Sequence, residues 1–304
     1  MNGKVLRAQK GQYTVEYENG GTLTECVCRS SSKLGKNGTV PLPGDTVEFE
    51  LNSDGTGFIG GISPRKNTFV RPPISNVDVL AVVIATANPQ PATFTVDKLT
   101  VSAVAAGVEV CVIINKTDIA SPESLCEIYE KCGFRCFPLS ALKGTDTEVL
   151  KQWLYGKITV FSGVSGVGKS SLINNLYPSL NARVGELSDK IMRGKNTTRH
   201  TVLYNVGNGT YIADSPGFSR IEIGSALPYE AVSKQNDFVL TIDAEELQYA
   251  FPEFEKHIGT CRWSDCSHTK EDGCAVKNAV ENGEIAESRY DSYLKLYYEL
   301  KSTT

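Results

Sequence analysis

Gly163-Val164-Ser165-Gly166-Val167-Gly168-Lys169-Ser170 fits the pattern G-x-x-x-x-G-K-[ST], and it lies between the apolar run ITVF and the helix-forming stretch SSLINNL. Strand, glycine-rich loop and helix in that order form a cradle for phosphate. The glycines let backbone N–H groups curl around the oxygens, and the helix N-terminus favours the anion. Lys169 is placed to reach the outer phosphates, Ser170 to offer its hydroxyl to a magnesium ion, and Ser171 to join them at the helix start.

Two further stretches have nucleotide chemistry. Asp214-Ser215-Pro216-Gly217 follows the strand-like TYIA downstream of the phosphate loop. Nucleotide-binding folds put a magnesium-sensing carboxylate and a γ-phosphate-sensing glycine amide at such a place, here Asp214 and Gly217. Asn115-Lys116-Thr117-Asp118 ends one apolar run and Ser140-Ala141-Leu142 ends the next. In a guanine-reading site Asp118 accepts from the base N1–H and 2-amino group, Lys116 lies along the ring, Asn115 braces the loops, and Ser140 and Ala141 address O6. Adenine lacks these partners and would leave the carboxylate unpaired, at a cost of about 1–3 kcal/mol or more.

The order is unusual, because the base-reading loops precede the phosphate loop. Both matches stand together if the domain is circularly permuted, with the helix in TDTEVLKQWLY ending near the start of the phosphate-loop strand. Such rewiring is cheap because the termini of compact domains are often close. The residue after Gly217 is Phe218, which cannot orient water by hydrogen bonding, so slow intrinsic hydrolysis and dependence on a partner or another loop are expected. The switch candidate is KIMRGKNTTRHT, with Thr197 or Thr198 available to magnesium or the γ-phosphate.

A second chemistry lies near the end. Cys261, Cys266, His268 and Cys274 follow the spacing C-x4-C-x-H-x5-C. Three thiolates and an imidazole complete a tetrahedral zinc shell with no position left for water, so one structural zinc is expected. Cys111, Cys126, Cys132 and Cys136 are expected in the core, as are Cys26 and Cys28, which share one strand face. His257 reads as a surface or packing residue.

The elements that must hold these residues fall into three parts. Residues 1–66 alternate as short strands separated by ENGG, PLPGD and NSDGTG, a β-barrel of about five strands. The stretch PRKNTFVRPPISNV carries Pro72-Pro73 and marks a boundary near residue 67. From 67 to 222 buried strands alternate with amphipathic helices, an α/β pattern with a parallel sheet. Residues 223–304 read as a mainly helical, cysteine-bearing domain.

Of the 304 residues 40% are apolar, an ordinary share for a core-forming chain. The formal net charge of −4 argues against general coating of nucleic acid, so any RNA contact must be local. No stretch approaches the roughly 18 apolar residues that span a bilayer, and the N-terminus lacks a signal-peptide core. The nine cysteines then suggest reduced thiols and a metal site in a cytoplasmic protein.

These residues together resemble the RsgA family, the small-subunit-dependent, circularly permuted GTPases. The resemblance rests on PLPGDTVEFE, NKTD, SAL, GVSGVGKSSLIN, DSPGF, the cysteine–histidine cluster and GCAVKNAVENGEIAESRYDSYLKL, and it covers nearly the whole chain. It implies an OB-fold barrel, a GTPase domain using Mg2+ with GTP, a zinc domain, and late maturation of the small ribosomal subunit through contact with its rRNA, by a monomer. It also implies that the subunit stimulates hydrolysis. One departure concerns the switch, commonly Gly-Arg-His-Thr-Thr in the family and Gly194-Lys195-Asn196-Thr197-Thr198 here. Asn196 replaces a histidine proposed for catalysis. Either His200 or a ribosomal group substitutes, or hydrolysis is slower.

Two functional classes compete: a GTPase cycling on and off the small subunit, and a nucleotide-gated binding module whose barrel is a platform for single-stranded RNA or protein. A zinc-dependent DNA binder is disfavoured by the acidic balance and the lack of a recognition-helix pattern.

Overall fold

The computed structural model describes residues 1–31, 34, 40–69, 73–180, 201–214, 221–223, 238–240 and 242–303. Two compact units divide the chain, residues 1–78, 154–160 and 177–216 in one and 79–153, 161–176 and 217–304 in the other.

The first unit opens with β1 (Asn2–Gln9), β2 (Gln12–Asn19), β3 (Thr22–Ser30), β4 (Thr46–Leu51) and β5 (Gly57–Ile62), a closed barrel in the order β1-β2-β3-β5-β4. Two-residue turns make its first hairpins. Lys10-Gly11 and Gly20-Gly21 all have positive φ, which matches the twist of the flanking strands. Alternate residues point inward, so Val5, Tyr13, Val15, Cys26, Cys28, Val47, Phe49 and Ile59 form one core. Cys26 and Cys28 indeed share the inner face, their sulfurs 3.5 Å apart.

Asp45 of the PLPGD turn is fully buried. It accepts from the Leu42 amide (2.7 Å), the Ser75 hydroxyl (2.6 Å) and the Arg65 guanidinium (2.7 Å). Gly44 has φ +94, and a Cβ there would lie 2.1 Å from the Ser75 carbonyl oxygen, so only glycine lets the turn approach this close. Ser75 belongs to a short antiparallel pair, β6 (Thr68–Phe69) with β7 (Ile74–Ser75).

In the second unit, β8 (Val79–Ala85) is buried throughout and is followed by α1 (Thr93–Ala105), β9 (Glu109–Asn115), α2 (Glu123–Lys131), β10 (Arg135–Pro138) and α3 (Thr147–Trp153). β8, β9 and β10 pair in parallel, as their near-continuous apolar runs require. β11 (Ile158–Ser162) begins in the first unit and ends in the second, where it leads to α4 (Lys169–Leu176). Strand order is β10-β9-β8-β11 in the second unit and β11-β13-β12 in the first, where β12 (Leu203–Gly207) and β13 (Thr210–Asp214) form an antiparallel hairpin. Glu16 of β2 joins this hairpin to the barrel: it accepts from Tyr211 Oη at 2.6 Å and from Asn205 Nδ2 at 2.9 Å.

The remaining elements of the second unit are a parallel pair, β14 (Ile221–Ile223) with β15 (Phe238–Leu240), two 3-10 turns at Leu247–Ala250 and Pro252–Phe254, α5 (Ala275–Glu281) and α6 (Glu287–Thr303). Arg289 of α6 is fully buried. It donates to Asp97 of α1 at 2.8 Å and to Glu253 at 2.6 Å, and Ser292 donates to the other Asp97 oxygen at 2.6 Å. Burial opposes the guanidinium charge, but Glu253 and Asp97 hold it well above its usual pKa. Among the described residues no helix is long and apolar enough to cross a membrane.

Candidate functional site

The loop after β11 needs its glycines. Gly163 has φ +141, and a Cβ on it would lie 2.2 Å from the Val83 carbonyl oxygen. Gly168 has φ +96, and its Cβ would lie 2.4 Å from Asn115 Nδ2. The loop is thus pressed against the ends of β8 and β9 and turns tightly into α4. Lys169 arches back over it, donating from Nζ to the carbonyls of Gly163 (2.5 Å) and Val164 (3.1 Å). Ser165, Ser170 and Ser171 are exposed, and Val167 is buried.

Asn115, the last residue of β9, is buried and has both ends of its amide engaged. Nδ2 donates to the Val167 carbonyl at 2.8 Å, and Oδ1 accepts from the Ala141 amide at 2.9 Å. One side chain thereby fixes the phosphate loop, the N-K-x-D loop and the S-A-L loop together. Lys116, at φ +67, donates from Nζ to the carbonyls of Gly166 (2.8 Å) and Asn88. The Thr86 hydroxyl donates to the Lys116 carbonyl at 2.7 Å, and the Thr117 amide donates to the Leu139 carbonyl at 3.3 Å.

Asp118 is exposed and accepts from the Ser140 hydroxyl at 2.6 Å. That hydrogen bond holds its carboxyl below the usual range. The carboxylate is therefore charged and aimed from a loop whose neighbour, Ser140, is itself buried. Because the Ala141 amide already donates to Asn115, any contact from it to a base oxygen would be a shared hydrogen bond.

Asp214 ends β13. Asn196, Thr197, Thr198, His200, Gly217 and Phe218 lie outside the described residues. The phosphate and base loops are brought together; the switch threonines and Gly217 are not described.

The cysteine–histidine cluster is assembled around a turn preceding α5. The ligand atoms of Cys261, Cys266, His268 and Cys274 all lie within 4.8 Å of one another, on the scale of the about 3.8 Å edge expected of a tetrahedral thiolate shell. His268 turns Nδ1 toward the sulfurs, 3.4 Å from Cys274 and 3.6 Å from Cys261, while Nε2 lies 2.9 Å from Gln248 Oε1. An Nε2–H donated to Gln248 leaves the Nδ1 lone pair free for a cation. Burial pushes the Cys266 thiol up to about 12, so a cation is what would make it a thiolate. The donor set and its spacing fit a bound metal ion.

The surrounding turn is tied down independently of metal. Glu271 accepts from the Ser267 hydroxyl (2.6 Å) and the amides of Ser267 (3.1 Å) and Thr269 (2.9 Å). Its burial works against the carboxylate, yet these bonds bring its pKa down to about 2. Tyr290 and Tyr293 of α6 donate to the carbonyls of His268 and Ser267, each at 2.8 Å. Sequence reasoning missed Gln248, Glu271 and these tyrosines. The sequence placed the cluster and α6 in one domain, 223–304, but not the contacts between them.

Among the other cysteines, Cys111 and Cys132 are buried as expected, while Cys126 and Cys136 are half-buried. His257 is half-buried, with Nε2 3.8 Å from Glu284.

Comparison with known proteins accounts for the whole chain. The RsgA N-terminal domain family matches residues 2–59 and the RsgA GTPase family residues 62–224. A protein of Thermotoga neapolitana named small ribosomal subunit biogenesis GTPase RsgA is 39% identical over 98% of this chain and 96% of its own length. One of the same name from Caldanaerobacter subterraneus is 38% identical over 99% and 96%. The crystal structure of YjeQ from Thermotoga maritima superposes with a TM-score of 0.76 at 32% identity, covering 100% of this chain and 99% of that one. YloQ, described as a circularly permuted GTPase, gives 0.77 at 30% identity over 100% and 96%. With its barrel, its base loops ahead of its phosphate loop and its cysteine–histidine cluster, the chain belongs to the RsgA family of circularly permuted GTPases.

Proposed function

We propose that this chain is a GTPase of small-subunit biogenesis: it binds GTP with magnesium, docks on the small ribosomal subunit partly through rRNA, and hydrolyses GTP to GDP and phosphate. The observation that carries the reading is Asn115, which holds the guanine-type and phosphate-type loops in one frame. The names of the relatives supply the biological setting. The functional division is a barrel at 1–66, a GTPase domain at 67–222 and a zinc domain at 223–304, in a monomeric, cytoplasmic protein.

The proposed roles follow from the chemistry of each group. Asp118 receives the guanine N1–H and 2-amino hydrogens, and Ser140 keeps it ionised and oriented. Ser140 and Ala141 address O6. Gly163 to Gly168 present backbone N–H groups to the phosphates, and Lys169 leaves the loop carbonyls to meet the charge of the β- and γ-phosphates. Ser170, Asp214 and Thr197 or Thr198 are hard oxygen donors of the kind magnesium prefers. Magnesium, when bound, neutralises charge developing on the phosphates. The Gly217 amide senses the γ-phosphate.

Phe218 offers no hydrogen bond to water, so hydrolysis is slow alone and stimulated by the subunit. Cys261, Cys266, His268 and Cys274 hold one zinc ion in a structural role. GTP turnover measured with and without purified small subunits tests the reading. A marked rise with subunits is expected; no rise at saturating GTP would overturn it.

A further inference from the structure

The hairpin that ends on Asp214 is gripped from outside by the barrel. On β2 the side chains of Tyr13, Val15 and Tyr17 face the barrel core, so Glu16 points outward, where a carboxylate is ordinarily solvated. Glu16 is nevertheless only 7% exposed. It accepts from Tyr211 Oη at 2.6 Å and, with both oxygens, from Asn205 Nδ2 at 2.9 Å; Asn205 and Tyr211 stand directly opposite each other in the β12–β13 ladder. Asn205 Oδ1 in turn accepts from the Gly207 amide at 2.8 Å, where the ladder shifts register. Lys4, the partner of Glu16 on β1, sets its ammonium over the Tyr211 ring, 5.2 Å from the centroid. Burial and the Glu16 carboxylate raise the Tyr211 phenol above its usual range, so it stays a donor at neutral pH.

A joint that only covered apolar surface could slide, whereas charge-assisted hydrogen bonds fix direction as well as distance. Their place on the hairpin gives them a consequence for hydrolysis. Leu203 pairs with Ala213, so β12 begins and β13 finishes at the same end of the hairpin. The Asn205–Tyr211 pair lies two residues, about 7 Å, back from that end. One strand finishes there on Asp214, and the other is preceded in the chain by the switch candidate, whose last residue, Thr201, adjoins Val202. Val202 makes a bridge with Arg7 of β1, so the barrel holds that side as well. A misplacement of about 1 Å in a reacting site, caused from a distance, can cost about 100-fold in rate. Resting on the role proposed above for Asp214, we propose that Glu16, although it belongs to the barrel, is a positioning residue for GTP hydrolysis: through Asn205 and Tyr211 it fixes the end of the hairpin that carries Asp214.

The test uses the full-length protein and separates rate from nucleotide binding. GDP affinity reports the loops at 115–118 and 163–170, and kcat at saturating GTP, counted per GDP-binding molecule, reports the end of the hairpin. Glu16→Ala should lower kcat about tenfold with GDP affinity within about twofold of wild type, and Glu16→Gln, which keeps an oxygen for Tyr211, should recover most of the loss. Tyr211→Phe removes a single hydroxyl and should lower kcat about threefold, which keeps the test available if Glu16→Ala does not fold. A lower urea midpoint with kcat within about twofold of wild type makes Glu16 a structural joint only and overturns the proposal. Loss of kcat and GDP affinity together, or no recovery in Glu16→Gln, equally overturns it. Asp214→Asn in the otherwise wild-type chain tests the reading beneath. Undiminished kcat there overturns the role of Asp214, whereas a lost kcat there beside an unaffected Glu16→Ala overturns the positioning role alone.

Discussion

Asn115 and Val167 stand 52 positions apart in the chain and are joined by a 2.8 Å hydrogen bond from the asparagine amide to the valine carbonyl. Because Oδ1 of the same side chain holds the Ala141 amide, truncation orphans two backbone groups at once. Each buried orphan costs about 1–3 kcal/mol. Asn115→Ala should therefore lower both the urea midpoint and GDP affinity, the latter by at least about tenfold, as read by calorimetry. Retained affinity would mean that the loops find their places without this brace.

The Ser140 hydroxyl on Asp118 predicts a pH effect. A carboxyl held below its usual range contributes as the anion above its ordinary pKa, and that contribution is lost as pH falls through the lowered value. Ser140→Ala should move the acid limb of guanine-nucleotide binding upward, toward the ordinary aspartate value of about 3.9. Fluorescent GDP titrated from neutral to acid pH reads the limb itself, separately from any change in affinity at neutral pH.

Gln248 predicts a metal effect without touching a ligand. Its Oε1 fixes the His268 ring through Nε2, and loss of such an outer partner typically weakens metal binding about 10- to 100-fold. Gln248→Ala should lose zinc to a competing chelator well before wild type does. Cys274→Ser should lower the zinc content outright; unchanged content would refute the four-ligand site.

The Asp97–Arg289–Glu253 network is fully desolvated, with side-chain exposures of 0%, 0% and 2%. Arg289→Ala leaves two carboxylates buried without their cation, which costs about 3–5 kcal/mol. Asp97→Asn should cost less, because the amide oxygen still accepts from Arg289. A urea midpoint ordering wild type above Asp97→Asn above Arg289→Ala checks this.

Much of the fold was legible because its signals are local. ENGG and NSDGTG announce two of the barrel's turns, VLAVVIA and VCVIIN the buried parallel strands, and the cysteine spacing the cysteine–histidine cluster. The rest was hidden because its partners are distant. Glu16 breaks the alternation of QYTVEYE by being buried beneath Tyr211 and Asn205, a use of charge that strand periodicity reads as solvent-facing. Arg289 looks like a surface charge on a polar helix until Asp97 and Glu253 are seen beside it. Gln248 lies 20 positions from His268, and no spacing rule connects them. In the proposed base site, sequence supplied the identity of Asn115 and Asp118 but not the shared bonds that fix their loops.

The most direct test of a guanine site built from loops in permuted order is the nucleotide preference of Asp118→Asn. The carboxylate accepts from the guanine N1–H and 2-amino group, whereas an amide supplies a donor that suits the 2-oxo group of xanthine. Loss of a charged hydrogen-bonding partner is worth about 1.5–3 kcal/mol, or about 10- to 100-fold. The variant should bind GTP that much more weakly and bind XTP better than GTP, with wild type showing the reverse order. A variant that still prefers GTP at wild-type affinity would contradict the assignment of Asp118, and with it the claim that residues 115–118 and 163–170 form one site.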